Sequence, residues 1–271
     1  MAKSTKALLF ITIIVVSLST AFIAIYSIKP CKYCNKKFCF GTCTISYDDE
    51  GNPIKYDDSH NKDDNTTQNT TQLATTPRAD QSYLDDIVFV GDSRTVGFKI
   101  NTPEISEENI FAENSLNHEE AMTKKVVNIQ EYKKVSIPDA VKVRSPKIMI
   151  VNFGINGISW MTPEKLVETY EIFIDELIKN SPSSIVIIEA ILPVAMSYED
   201  KVTNEKIDEA NALIHKMAKE KKIYYLATND VLKDEKNDLE YGLHQGDGIH
   251  FTADAYVKIV DYILTHAIYK K

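Results

Sequence analysis

After residue 80 the chain contains short runs of branched aliphatic and aromatic residues, each bounded by residues typical of turns. The runs lack the spacing of a helix face, and apolar runs of this length are typical of parallel strands buried on both sides. The pattern therefore predicts five strands, over residues 87–90, 109–112, 147–152, 184–192 and 223–227.

Between and after these runs, hydrophobic residues recur at helical spacing. Thr162 and Pro163 are a helix cap and a proline at the first helical position, and they predict a helix that ends near Asn180. Thr203 is predicted to cap a second helix, and residues 256–264 predict the last one. Strands that alternate with helices indicate an α/β fold, with a parallel sheet of about five strands in three layers, α/β/α.

An uncharged apolar run covers residues 7–28, between Lys6 and Lys29. Its length suffices to cross a bilayer. A cleavable signal peptide usually has a shorter apolar core followed by a small-residue cleavage site, and the sequence has neither. We interpret residues 1–28 as an uncleaved N-terminal transmembrane anchor.

All four cysteines follow the anchor closely. Their spacing, C-x2-C-x4-C-x3-C, suits a tetrahedral zinc site in a reducing compartment or two disulfides in an oxidising one. The residues are Cys31, Cys34, Cys39 and Cys43.

From residue 48 to residue 80 the chain is first acidic and then rich in Asn, Thr and Gln. Such a composition cannot bury enough apolar surface to offset the entropy lost on ordering. We therefore predict a cysteine-containing juxtamembrane segment and flexible linker over residues 29–80, and a folded domain over residues 81–271.

The first predicted strand stops abruptly at Gly91-Asp92-Ser93. In an open α/β sheet ligands collect at the carboxyl ends of the strands, where a following helix points free N–H groups at them. Ser93 is therefore a candidate nucleophile. The same three residues also suit a simple turn with a helix cap, with Asp92 in a structural role.

Near the other end of the chain, Asp247 precedes His250 by three residues in a glycine-containing segment. A carboxylate at this spacing can fix the tautomer of the imidazole and stabilise its protonated form, while the other ring nitrogen takes a proton from a serine hydroxyl. Ser93 and the Asp247/His250 pair are thus a candidate nucleophile and its oriented base.

With Gly154-Ile155-Asn156, these motifs match three of the four sequence blocks of the SGNH (GDSL-type) hydrolases, in the same order. From about residue 82 onward the chain resembles this family, and it is identified as a bacterial, membrane-anchored member. The resemblance implies the SGNH hydrolase fold, with a flavodoxin-like sheet. It also implies that Ser93, Asp247 and His250 are catalytic and that the Asn156 amide binds the oxyanion.

The second block of the family usually supplies a glycine after the second strand, and this chain has no glycine between Asn109 and Met122. We place Ser115 at that position, with Asn114 as the alternative. A backbone donor does not require glycine unless φ is positive, which Asn tolerates better than Ser. The expected oxyanion hole is then the N–H groups of Ser93 and Ser115 with the Asn156 amide.

The resemblance implies a serine esterase, a carboxylic ester hydrolase that removes small acyl groups, acetyl first of all, from oxygen esters. A cell-wall glycan is the expected substrate class. Two alternatives stay open: an O-acyltransferase that uses the same residues, and a non-catalytic carbohydrate-binding module on the same fold. The implied chemistry needs no metal and no organic cofactor.

Charge and location bear on the expected partners. The net charge is −8, and the absence of a basic cluster excludes nucleic acid from the expected partners. More lysines follow the run 7–28 than precede it, which by itself favours a cytoplasmic domain. Proteins that resemble this one are commonly exported, and on that resemblance we expect the domain outside the cell membrane, attached through residues 7–28.

Three further residues near the motifs allow more than one interpretation. Arg94 could bind an anionic substrate group or could be a solvated arginine in the first helical turn. Trp160 could stack on a sugar or pack in the core. His244 could join Asp247 and His250 in a metal site, but no further His or Cys lies nearby in sequence to complete one.

Overall fold

The computed structural model describes residues 71–130, 133–198 and 202–269. The predicted anchor at residues 7–28, the four cysteines and most of the predicted linker lie outside the described residues. In the part of the chain that is described, no helix is long and apolar enough to cross a membrane.

Five parallel strands form the main sheet, in the order β2-β1-β5-β6-β7, and two short antiparallel strands form a separate pair. The strands are β1 (Ile87–Gly91), β2 (Ile110–Ala112), β3 (Val127–Gln130), β4 (Lys133–Val135), β5 (Ile148–Asn152), β6 (Ile185–Glu189) and β7 (Tyr224–Leu226). Counted along the chain, the main sheet has the strand order 2-1-3-4-5, which is the flavodoxin-like order. The predicted five-stranded parallel sheet is confirmed.

Helices connect the strands. Those in the described residues are α1 (Ser93–Val96), α2 (Phe98–Asn101), α3 (His118–Ala121), α4 (Ile137–Arg144), α5 (Ile155–Ile158), α6 (Pro163–Asn180), α7 (Asn204–Lys221) and α8 (Ala253–Leu264). Thr162 and Thr203 cap α6 and α7 as predicted, because each hydroxyl accepts a hydrogen bond from the backbone N–H three residues later.

In the main sheet, alternate residues of the strands face two different hydrophobic cores. On one face, Val88 and Val90 of β1 belong to a core that includes residues of α4, α6 and α7. On the other face, Ile87 and Phe89 belong to a core that includes residues of α8. The sheet is therefore covered on both sides, and this explains why its strands are apolar throughout rather than alternating.

Strand β6 ends at Glu189, three residues before the predicted end at residue 192. Beyond the strand, two asparagines of α7 replace the strand partners. Asn211 bonds both the N–H and the carbonyl of Ile191, and Asn204 does the same for Val194. An apolar sequence thus continues past the strand because side chains, not a neighbouring strand, satisfy its backbone.

Residues 71–80, which the sequence assigns to the linker, hydrogen bond to the folded domain. Leu73 N–H donates to the carbonyl of Tyr225 in β7, and the N–H of Tyr225 donates to the carbonyl of Thr71. Ala79 N–H donates to the carbonyl of Leu264 at the end of α8. These bonds place residues 71–80 with the domain, earlier than the predicted start at residue 81.

Candidate active site

The turn that carries Ser93 joins β1 to α1 at the carboxyl edge of the sheet. Asp92 caps α1, because its Oδ1 accepts a hydrogen bond of 3.0 Å from the N–H of Arg94. Gly91 lies against the neighbouring strand so closely that a Cβ atom would be 2.5 Å from the carbonyl oxygen of Asn152. Only glycine fits at this position, and the tight turn fixes where Ser93 stands.

The structure brings Ser93, His250 and Asp247 together. His250 Nε2 is 3.0 Å from Ser93 Oγ, and His250 Nδ1 is 2.6 Å from Asp247 Oδ2. Both distances are those of hydrogen bonds. A hydroxyl, an imidazole and a carboxylate therefore form one continuous hydrogen-bonded chain.

The loop that holds Asp247 and His250 is organised by the aspartate itself. Asp247 Oδ1 accepts hydrogen bonds from the N–H groups of Ile249 (3.0 Å) and His250 (2.9 Å). Partial burial alone would raise the pKa of Asp247, but the hydrogen bonds from the Ile249 N–H and from His250 outweigh it and hold the pKa at about 2. The carboxylate is ionised at neutral pH, and its second oxygen faces the imidazole.

The two other predicted oxyanion residues follow β2 and β5, the strands on either side of β1: Ser115 lies in the loop after β2, and Asn156 lies in α5, just after β5. Asn156 Nδ2 donates a hydrogen bond of 2.9 Å to the carbonyl of Leu116, so α5 is joined to the loop after β2 next to Ser115. Ser115 has a φ of 58°, in the left-handed region, whereas Asn114 is not among the described residues with positive φ. Ser115, the residue placed at the glycine position of the family, thus has the left-handed backbone conformation that favours glycine.

Residues 89–258 match the sequence profile of the GDSL-like lipase/acylhydrolase family. The match covers more than half of the chain. The protein belongs to this family, and it is a hydrolase enzyme of the esterase type.

Several solved structures resemble this GDSL-type hydrolase, including two with TM-scores above 0.5. A GDSL-like lipase from Bacteroides thetaiotaomicron VPI-5482 has a TM-score of 0.51 at 19% identity, over 64% of this chain and 83% of that chain. A protein from Streptococcus pneumonia, provisionally assigned as a platelet activating factor, has a TM-score of 0.52 at 16% identity, over 67% of this chain and 88% of that chain. At these identities the likeness shows the fold. No curated protein sequence gives a significant match.

Ser115→Gly is expected to stabilise the hydrolase by a net amount of about 0.5–1 kcal/mol. Glycine adopts the left-handed conformation without the steric cost that serine carries. The larger entropy of glycine in the unfolded chain offsets part of this gain. Activity should be unchanged, since the backbone N–H is retained. Chemical denaturation measures the stability. Asn114→Gly is the matched control, and this substitution is expected to lower the stability. A destabilised Ser115→Gly variant would contradict the role assigned to φ.

Three charged side chains are buried beneath the site: Asp92, Arg94 and Glu189. Burial raises the pKa of Asp92 to about 6 and that of Glu189 to about 7, although the nearby Arg94 guanidinium lowers both. Glu189 Oε1 and Asp92 Oδ2 have no hydrogen-bond partner among the described residues. These carboxyl groups therefore favour the protonated form more than ordinary surface carboxyls do.

Glu189→Gln is expected to flatten the dependence of stability on pH. Because the folded-state pKa of Glu189 lies near 7 and above its value in the unfolded chain, the folded state holds more protons between about pH 4.5 and pH 7. Wild-type stability should fall as pH rises through this window. In the wild type, ionisation of Glu189 should lower the free energy of unfolding by about 3 kcal/mol across this window, and the glutamine variant should lack this decrease.

Denaturant unfolding at pH 5 and pH 8 measures this difference. The exposed Glu235→Gln is the control and should leave the slope of stability against pH as it is in the wild type. Asp92 adds a slope of the same sign, so the Glu189→Gln variant should keep part of the pH dependence. Parallel curves for the wild type and Glu189→Gln would show that Glu189 is ionised in the folded state.

The role of Arg94 was not predicted from the sequence. The side chain is 3% exposed and bonds backbone carbonyl groups, so it is neither a solvated arginine nor an arginine that faces substrate. Nothing in the sequence around Arg94 indicates this, because its partners are distant along the chain.

The structure also shows the contacts of Trp160 and His244, the other two residues that the sequence left with more than one interpretation. Trp160 is 63% exposed and its Nε1 donates to the carbonyl of Asn156, so it is not a core residue. His244 Nδ1 accepts a hydrogen bond from the N–H of Gly246. Across the described residues, no group of His, Cys, Asp and Glu side chains is arranged to hold a metal ion.

Proposed function

We propose that this hydrolase is a serine esterase in which Ser93 is the nucleophile, His250 the general base and then the general acid, and Asp247 the carboxylate that orients the imidazole. The observation that carries the proposal is the hydrogen-bonded chain, with 3.0 Å between His250 Nε2 and Ser93 Oγ and 2.6 Å between His250 Nδ1 and Asp247 Oδ2. This arrangement is the one that activates a serine hydroxyl.

In the proposed reaction, Ser93 Oγ forms a bond to the ester carbonyl carbon as His250 Nε2 takes the hydroxyl proton. The N–H groups of Ser93 and Ser115 and the Asn156 amide stabilise the negative oxygen. Collapse breaks the bond to the alcohol, which leaves with the proton from His250, and Ser93 carries the acyl group. Water then attacks, gives its proton to His250, and releases the acid as Ser93 regains its proton.

Hydrolysis is favoured over acyl transfer by the exposure of the site. The side chains of His250 and Asp247 are 42% and 47% exposed, so water can reach the His250 imidazole, which would activate that water for attack on the acyl-enzyme. An O-acyltransferase must exclude water from the acyl-enzyme. With an alcohol or sugar acceptor added, we expect free acid as the main product, whereas a main product acylated on the acceptor would support transfer.

The substrate we propose is a small acyl ester, acetyl first, on a glycan. The support for the acetyl group is the resemblance to the SGNH hydrolases. The support for the glycan is Trp160, whose exposed ring is anchored on Asn156 and can offer a flat apolar face beside the site. Comparison of acetylated sugars with nitrophenyl esters of acetate and of longer acids tests this choice, and preference for long acyl chains would exclude it.

A fluorophosphonate probe tests the proposed function directly. It reacts with a serine hydroxyl activated by a base, and forms a phosphonyl ester with loss of fluoride. We expect the full-length protein to gain the mass of one probe less that of hydrogen fluoride, and peptide mapping to locate the adduct on Ser93. A folded protein that is not labelled and hydrolyses no ester would support the non-catalytic carbohydrate-binding module instead.

We also propose that the hydrolase domain lies outside the cell, attached through the anchor at residues 1–28. The support is the resemblance to exported hydrolases, and the lysines after residue 28 argue against it. Protease added to intact cells should remove the domain if it is outside. Protection of the domain until the cells are lysed would place it in the cytoplasm.

A further inference from the structure

Arg94, the residue after the proposed nucleophile, contacts the chain on both sides of His250. Its Nε donates a hydrogen bond of 3.0 Å to the carbonyl of Ile249, and its guanidinium carbon lies 4.7 Å from the centre of the Phe251 ring. Ile249 and Phe251 are the two sequence neighbours of His250. One side chain thus holds the backbone that carries the proposed base.

The same guanidinium fixes a third segment. Its Nη1 and Nη2 donate hydrogen bonds of 2.6 Å and 3.0 Å to the carbonyls of Leu192 and Pro193, which follow β6. That segment also bonds the loop of the proposed base, because Ala195 N–H donates to the carbonyl of Gly248 at 2.9 Å. Arg94 therefore joins the turn of Ser93, the segment after β6 and the loop of His250.

Stability alone does not explain a buried arginine at this position. Removal of a guanidinium from water is costly, and even a buried ion pair can often be replaced by apolar side chains of similar volume without loss of stability. The N–H groups of Arg94 are used on carbonyl oxygens from separate segments, rather than on a carboxylate. The rigid fork of arginine suits this task, since it fixes several acceptors in one plane.

We propose that Arg94 is a positioning residue, which sets the distance between His250 Nε2 and Ser93 Oγ by fixing the backbone around His250 to the residue after Ser93. This inference rests on the proposed function of Ser93 and His250. The bond between His250 and Asp247 lies within one loop, so it does not depend on Arg94.

The test is Arg94→Lys in the full-length protein. Lysine keeps the positive charge but has no planar fork, so it cannot hold the three carbonyls in place. We expect kcat and the rate of fluorophosphonate labelling at Ser93 to fall by about 10- to 100-fold, with KM nearly unchanged, because a displacement of about 1 Å at a reacting group has an effect of this size. The far-downfield proton resonance of the His250–Asp247 hydrogen bond should remain.

Ile214→Ala is the control for a loss of stability, since Ile214 is a fully buried residue of α7. Below its melting temperature this variant should label Ser93 at the wild-type rate. Wild-type labelling and kcat in Arg94→Lys, or a decrease no larger than in Ile214→Ala, would overturn the inference. A wild-type protein that is not labelled at Ser93 would instead overturn the proposed function.

Phe251→Leu keeps the inference testable if Arg94→Lys does not fold. The change removes the ring beneath the guanidinium and keeps an apolar side chain at a buried position. We expect a decrease of several fold in the labelling rate, with KM nearly unchanged. Labelling at the wild-type rate in a folded Phe251→Leu variant would overturn the role of Arg94.

Discussion

Ser93→Ala is expected to lower kcat for ester hydrolysis by on the order of 10⁶-fold, the size of loss that follows removal of the nucleophile in a serine hydrolase. Without Oγ no acyl-enzyme forms, and what remains is direct attack by water with help from the oxyanion donors. The fold should be unaffected, since the cap of α1 comes from Asp92 and the Ser93 hydroxyl bonds His250. Release of acid from an acetyl ester measures kcat and KM.

Ser197→Ala is the matched control for this substitution. Ser197 is an exposed serine beside the loop of the proposed base, where its Oγ would lie 2.9 Å from a Cβ atom added to Gly248. Loss of this hydroxyl should leave kcat at the wild-type value. A Ser93→Ala variant that keeps more than about a hundredth of the wild-type kcat would show that another group attacks the ester, given the size of loss expected.

The main sheet could be predicted from the sequence because its strands are buried on both faces, and this makes them apolar runs with distinct ends. The antiparallel pair β3 and β4 was not predicted. Of its seven residues only Val127 is buried, so it has no apolar run. The end of β6 was predicted too late, because the partners of Ile191 and Val194 are asparagine side chains of a helix that comes later in the chain.

The candidate site divides in the same way. Ser93, Asp247 and His250 were found because each lies in a short motif whose local conformation follows from its own residues: a strand end, and an aspartate that bonds two N–H groups of its own loop. The burial of Arg94 depends on carbonyl groups that only the folded chain assembles. No local pattern around an arginine can therefore predict it.

Asp247→Asn is expected to lower kcat by about 10⁴-fold while the protein stays folded. Asp247 Oδ1 accepts hydrogen bonds from two backbone N–H groups, and the amide oxygen of asparagine can keep both. The amide NH₂ would then face His250 Nδ1 and donate to it. The imidazole proton would move to Nε2, which faces Ser93 Oγ, and a protonated Nε2 cannot take the proton of serine.

Asp234→Asn is the matched control for this argument, because Asp234 Oδ1 likewise accepts from two backbone N–H groups, those of Lys236 and Asp238, away from Ser93. It should keep the wild-type kcat. In Asp247→Asn, the far-downfield resonance of the His250 Nδ1 proton should be lost together with activity. If that resonance is lost and kcat stays within tenfold of the wild type, then the charge and tautomer of the imidazole do not limit the reaction, and the role proposed for Asp247 must be given up even if Ser93 remains the nucleophile.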